Sequence, residues 1–339
     1  MSLSRVARSA GVSTSTVSRY VRGELKVSPA TARRIDQALA DDGRPAADRS
    51  RAVTTIGLVV PSLANPYFSA LADAVVDAAA EDGIEVFTAL TGSSALRERN
   101  SVERLAQVQN LGGIVYLGMH GTNEAFTGRV GEELPVVLLD EYVIADGTRI
   151  SQVTADSFGG AYQATAHLAG LGHRIIAHVG GPRGLETAEQ REAGFRAAMA
   201  DHSLEVDDRL VLRGSYTADF GTNFFAHVSS VEPAPTAVFC ASDIAAIGVL
   251  EAARQARIGV PDELSIIGCD GIAFGDWTSP QLTSVAQPTQ MLARQAVDEL
   301  IHVATGGTPT PHTLPMTLRV RASTAPPAGA RARDASADR

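Results

Sequence analysis

The chain of 339 residues is poor in cysteine, with two, holds one tryptophan, and has only 5% aromatic residues. Cys240 and Cys269 are too few for a disulfide framework or a four-thiolate zinc site. Both lie in apolar runs, where a buried, reduced thiol is the plain expectation. No apolar stretch approaches the ~20 residues of a membrane span and no secretory leader opens the sequence, so a soluble, cytoplasmic protein without membrane contact is expected. Catalytic signatures are missing too. There is no Gly-x-x-x-x-Gly-Lys-[Ser/Thr] phosphate loop, no His-Glu-x-x-His helix and no Gly-x-Ser-x-Gly elbow. The run Gly180-Gly181-Pro182-Arg183-Gly184 lacks the spacing of a dinucleotide loop, and the eight histidines are scattered. The expectation is a protein that is not an enzyme and needs neither cofactor nor metal. Lysine is almost absent as well, Lys26 being the only one. Because arginine replaces it along the whole chain, this reads as codon bias.

What is present is an ordinary globular composition, 45% hydrophobic and 20% charged, over a length that suits two or three domains. The net charge of −9 argues against a nucleic-acid binder over the whole surface, but it is unevenly spread. Residues 1–40 carry seven basic groups against two acids, a net of +5, which leaves −14 on the remainder. Such asymmetry marks a nucleic-acid-contacting end.

Within this basic segment Val6, Ala7 and Ala10 form the apolar side of a short helix that Gly11 stops. Ser13 is placed to cap a second helix through Val17, Tyr20 and Val21. Gly23 ends it, and Ser28-Pro29 opens a third through Ala32, Ile35, Ala38 and Leu39. The result is an all-α helix-turn-helix head over residues 1–43, followed by a polar linker over 44–55 with no apolar periodicity. From 56 to 324 short apolar runs (IGLVV, EVFTAL, GIVYL, VVLL, IIAHV, AVFC, SIIG) alternate with helical patterns such as Tyr67, Phe68, Leu71, Ala72, Val75, Val76 and Ala79. This alternation predicts an α/β body of two lobes, each a doubly wound parallel sheet. Residues 325–339 have almost no apolar content and read as a disordered tail.

The second helix of a helix-turn-helix lies in the major groove, so Thr14, Ser15 and Arg19 are the candidates for base edges, Arg19 matching O6 and N7 of guanine. Ser13, Thr16, Arg22, Ser28 and Thr31 suit phosphate oxygens. A Ser/Thr-rich helix start is by itself only a cap; the glycine turn and the local charge favour DNA. In the body, Asp140 follows VVLL and Asp270 follows IIGC, so both carboxylates sit where ligands bind in open parallel sheets. For either alone, capping the next turn is an equally good reading.

The run VARSAGVSTSTVSRYVRGELKVSPATARRI resembles the N-terminal domain of the LacI family, the lactose- and galactose-repressor type of transcription regulator. The resemblance continues in IGLVVPSLANPYF, LGHRIIAHVGGP, TAEQREAGF, ASDIAAIGVL, GVPDELSIIGCD, LTSVAQP and LRVRAST, covering nearly all of residues 3–324. It implies a body of the periplasmic-binding-protein type, a homodimer on palindromic operator DNA, and a small-molecule effector, most naturally a mono- or oligosaccharide. By the same resemblance Tyr67, Phe68, Asp140, Arg191, Tyr216, Ser242, Asp270 and Gln287 line the effector cleft. Ser242 stands where relatives often carry asparagine, and Leu185 where purine-responsive members use arginine, which speaks against a purine. The family hinge, Pro-Asn-x-x-Ala-Arg-x-Leu, is here Pro45-Ala46-Ala47-Asp48-Arg49-Ser50-Arg51-Ala52, without the leucine that wedges into the minor groove. Arg49 remains a candidate for phosphate. This departure keeps a second reading open: a sugar-binding or sugar-processing body with a vestigial head.

Overall fold

The computed structural model describes residues 3–21, 25, 27–41, 53–126, 129–143, 145 and 147–328. Arg22, Gly23, Arg49 and the 45–52 hinge, like most of the tail, lie outside the described residues. The chain divides into two compact units, Met1–Ala52 and Val53–Arg339.

The first unit holds α1 (Leu3–Ala10), α2 (Thr14–Val21) and α3 (Pro29–Asp41). Gly11 takes φ +66°, a left-handed conformation that suits a residue without Cβ, and lets Val12 N donate to Ala7 O at 3.0 Å as the chain turns. Ser13 Oγ accepts from Thr16 N at 3.0 Å and Ser28 Oγ from Thr31 N at 3.2 Å, so both serines cap the helices that follow. Val6, Ala7, Ala10, Val17, Tyr20, Ile35, Ala38 and Leu39 close a small core of their own.

The second unit opens with β1 (Thr55–Val60), α4 (Pro66–Glu81), β2 (Glu85–Leu90), α5 (Ala95–Leu105), β3 (Ile114–Tyr116), α6 (Arg129–Glu132), β4 (Val136–Leu139) and β5 (Ile150–Ala155). There follow α7 (Ser157–Gly170), β6 (Ile176–Gly180), α8 (Glu186–Asp201), β7 (Val211–Arg213), α9 (Ala218–Thr222), α10 (Phe224–Val228), β8 (Ala237–Cys240) and α11 (Asp243–Ala256). The unit ends with β9 (Ser265–Asp270), β10 (Thr283–Ala286), α12 (Thr289–Ala304), β11 (His312–Leu314) and β12 (Thr317–Arg319). Two six-stranded sheets result, ordered β11-β5-β4-β3-β1-β2 and β12-β10-β9-β8-β6-β7. Every pairing is parallel except β10 with β12. In each lobe the strand order reverses, at β1/β3 and at β6/β8, and clefts of such sheets open at these points.

Three crossovers join the lobes. The chain leaves the first sheet after β5 through Asp156, which caps α7 by accepting from Gly159 N at 2.8 Å. It returns after β10 through Gln287 and Pro288 into α12, which packs on α4, β3, β4 and β5. It crosses last between β11 and β12. One apolar cluster continues across both lobes, from Ile56 and Phe68 to Phe195 and Cys269.

The structure differs from the sequence expectation in detail. Strands β5, β7, β10, β11 and β12 fall outside the apolar runs: β5 buries only alternate residues, β7, β11 and β12 bury none fully, and β10 buries Thr283 and Ser284 with their hydroxyls bonded. Val76, placed on the apolar face of its helix, is 40% exposed. Ala325 is still held, its N–H donating to Ser265 Oγ at 3.0 Å, one residue into the stretch read as tail. Both cysteines are buried and free. Among the described residues no helix is long and apolar enough to cross a membrane.

Candidate functional site

The cleft is built from the carboxyl ends of strands. After β1, Asn65 accepts from Tyr67 N at 3.0 Å with Pro66 at the first helical position, so Tyr67 and Phe68 stand in the first turn of α4. Asp140 follows β4, and Asp270 is the last residue of β9 rather than the residue after it. Both have positive φ, +74° and +122°, a strained backbone that turns their carboxyls off the strand line. Arg191 lies in the second turn of α8 and is 3% exposed, so it is not the solvated charge its neighbour Glu192 suggests; Glu192 pairs instead with Arg196 and Arg213. Tyr216 follows β7, and a Cβ at Gly181 would collide with its ring, which explains one glycine of the Gly-Gly-Pro run.

These side chains converge. Tyr67 Oη donates to Asp140 Oδ1 at 2.6 Å and lies 2.9 Å from Gln287 Oε1. Gln287 Nε2 donates to Asp270 Oδ1 at 3.0 Å, and Arg191 Nη1 donates to the same oxygen at 3.3 Å and to Ala241 O at 2.5 Å. The Arg191 guanidinium also lies 5.8 Å from the centre of the Tyr216 ring, within cation–π range. Seven of the eight expected residues surround a shared void of about 20 Å³, and Gln287 bonds into the same network. Ser242 is buried there, but its Oγ accepts from Ala245 N at 3.4 Å, so the hydroxyl caps α11.

One phenolic proton on Tyr67 faces two acceptors. Burial pushes the Asp140 carboxyl up, against the opposing pull of Arg191. Burial likewise pushes Asp270 up to about 7, offset by Arg191. A single guanidinium stands among three buried carboxyls, and burial disfavours the charged form of each.

The third carboxyl, Glu141, was not foreseen from sequence. It is 4% exposed and reaches across the cleft, receiving Thr187 N at Oε2 (3.3 Å) and pairing with Thr187 Oγ1 at Oε1. Leu185 at the N-cap position of α8 offers no capping side chain, so the opposite lobe supplies the acceptor. Burial and then the charge of Asp140 push Glu141 up to about 8. Asp243 was missed too. It accepts from Gly271 N at 2.7 Å, Ile272 N at 2.8 Å and Ser284 Oγ at 2.6 Å, and thereby shapes the turn that presents Asp270. The only sequence signals were adjacency, Glu141 to Asp140 and Asp243 to Ser242.

In the head, Val17 and Tyr20 fill the buried face of α2, leaving Thr14, Ser15 and Arg19 exposed on the other. Ser13 Oγ bonds Thr16 Oγ1 at 2.7 Å and Ser15 Oγ at 2.9 Å, and Ser28 Oγ bonds Thr31 Oγ1 at 2.9 Å. Each hydroxyl cluster stands at a helix start, where free N–H groups and the dipole favour an anion. Arg8, Arg33 and Arg34 are exposed nearby in sequence.

Comparison with known proteins agrees with this architecture. The family model described as bacterial regulatory proteins, lacI family, matches residues 2–42, and that of a periplasmic binding protein-like domain matches residues 165–324. The transcriptional repressor PurR of Histophilus somni is 31% identical over 300 residues, covering 87% of this chain and 90% of that protein. The transcriptional regulator CelR of Thermobifida fusca is 30% identical over 319 residues, covering 91% and 93%. A solved CelR–cellobiose complex superposes with a TM-score of 0.72 at 28% identity, over 95% of this chain and 99% of that one. With a helix-turn-helix head, a two-sheet body and relatives alike over nearly their whole length, the chain belongs to the LacI family of DNA-binding transcriptional regulators.

Proposed function

We propose that this regulator binds a palindromic operator as a homodimer, in the cytoplasm, and that a neutral carbohydrate in the body cleft controls the affinity. The observation that carries the reading is the convergence of two aromatic rings, two strand-end aspartates, an arginine and a glutamine from both lobes onto one cleft. Planar charged groups paired with an aromatic face suit a ring bearing hydroxyls, and one relative is known in complex with cellobiose. The cleft suits binding rather than turnover: its carboxyls are held by Tyr67, Gln287, Arg191 and Thr187. In the head, Thr14, Ser15 and Arg19 read bases, while Ser13, Thr16, Ser28 and Thr31 hold phosphates, with Arg22 and Arg49 as further phosphate contacts.

A dimer is favoured because one head offers few contacts, and two-fold symmetry doubles them. The body also exposes apolar side chains suited to a partner surface, Phe87 and Leu90 on the edge strand β2 and Trp277 after β9. The test is fluorescence anisotropy on labelled palindromes over a salt series. Specific binding should weaken linearly in log–log form with salt. Arg19→Ala should lose about 1–3 kcal/mol on the preferred operator and little on random DNA. Absent or salt-independent binding by the intact protein would favour the vestigial-head reading instead.

A further inference from the structure

The loop after β3 carries Met119 and His120 to the mouth of the cleft, and a buried carboxylate holds it there. Glu98 on α5 is 1% exposed, accepts from Tyr116 Oη at 2.9 Å and from Met119 N at 3.1 Å, and faces His120 Nδ1 at 2.9 Å. A buried carboxylate is costly unless its oxygens are bonded, and these three donors meet that need. Because Nδ1 gives its hydrogen to Glu98, the orientation of the imidazole is set and Nε2 points away from the carboxylate. Among the described residues no hydrogen bond to Nε2 is made, and the ring is 38% exposed.

His120 lines a basin of about 560 Å³, inside the range of roughly 300–1,000 Å³ that small-molecule sites occupy. The basin shares Phe68, Met119 and Tyr216 with the inner void around Arg191 and the two aspartates. Its lining contains no Asp, Glu, Lys or Arg; apart from His120 its polar groups are neutral, chiefly the hydroxyls of Ser93, Ser215 and Thr217. A phosphate or carboxylate finds no counter-charge there, whereas hydroxyls find donors and acceptors. The inner groups can serve one ring only once the lobes part, since the void among them is about 20 Å³, and the two aromatic side chains stand where the inner and outer spaces meet.

We infer that this basin is an outer subsite, oriented by the Glu98–His120 pair, that takes the second ring of a neutral disaccharide; the inference rests on the carbohydrate reading of the cleft. His120 Nε2 is the specificity-determining contact to a hydroxyl of that ring, and Glu98 is its positioning residue. The test is calorimetric titration of the full-length protein with glucose, galactose, cellobiose, maltose and lactose. One disaccharide should bind at least tenfold tighter than its monosaccharide. His120→Ala should erase that advantage without changing the monosaccharide Kd, and His120→Gln should restore part of it. Glu98→Gln should reduce the advantage and shift the ¹⁵N resonances of the His120 ring, a change that simple loss of packing would not produce. Arg191→Ala should abolish both. If His120→Ala leaves the ratio intact, or weakens both sugar sizes equally while Arg191→Ala still abolishes binding, the outer subsite is wrong and the inner one stands. If the wild-type protein binds none of these sugars, the outer subsite and the carbohydrate reading fall together.

Discussion

Asp140 and Asp270 occupy backbone conformations with φ of +74° and +122°, which cost about 1–3 kcal/mol each in a non-glycine residue. The surroundings hold them there: Asp243 ties down the two amides after Asp270, and Tyr67 and Gln287 bond the buried carboxyls. The cleft therefore stores strain and buried charge, and the buried charge makes it sensitive to its protonation state. Glu141 is the clearest case. Its carboxyl is raised to about 8 by burial and by Asp140, so the folded protein holds a proton that an unfolded chain releases near pH 4.5. Stability contributed this way is fully present below the unfolded value and is lost as pH rises through about 8. Between pH 6 and 8 its share should fall by about 1.4 kcal/mol per pH unit, the linkage slope for one proton. Glu141→Gln, permanently neutral, should flatten that decline in urea-melt stability across pH 6–9; an unchanged slope would assign the decline to other groups.

At the scale of elements, helix starts do most of the positioning. Asn65-Pro66 fixes α4 and so places Tyr67 and Phe68, while α8 takes its cap from Glu141 on the other lobe. The first helps to build a lobe; the second bonds one lobe to the other, so a ligand that separates the lobes must break it. In the head, Ser13 is the corresponding device for α2, the helix that presents Thr14, Ser15 and Arg19. Ser13→Ala should cost about 1 kcal/mol of head stability, the usual value of an N-cap. The measurable result is a lower melting temperature of the head and weaker operator binding, with the body transition unmoved by calorimetry. Loss of operator binding with no change in head stability would instead make Ser13 a phosphate contact only.

For the whole molecule, the three crossovers between lobes give a ligand its leverage. A ligand shifts the lobe arrangement only by its difference in affinity for the two states. The charge distribution divides the labour: a head of +5 meets the phosphates while a body of −14 is repelled by them. The proposed dimer has to hold two heads together, and edge strand β2 exposes Phe87 and Leu90 at 50% and 52%. Phe87→Glu should convert a dimer into a folded monomer by analytical ultracentrifugation, with intact sugar binding and operator affinity reduced to that of one head. A Phe87→Glu protein that still sediments as a dimer would move the interface elsewhere.

Much of this protein could be read before any coordinates. The glycine turn, the two serine caps and the basic charge specified the head, because these are local effects of φ, capping and charge along neighbouring residues. The apolar runs and the strand-end aspartates marked the lobes and their cleft, since strand ends face the ligand side of any parallel sheet. Other features depended on distant parts of the chain meeting. The cap that Glu141 gives to α8 spans 46 residues, the Tyr67–Gln287 contact spans 220, and Asp243 reaches Ser284 across 41. No periodicity or spacing encodes such pairs, because each residue alone looks like a turn aspartate, a surface acid or a helix start. The sequence by itself determined the helices, the lobes and the sign of charge on each end; only the tertiary structure decided which carboxyls share Arg191, which one holds the lobes together, and which histidine looks into the cleft.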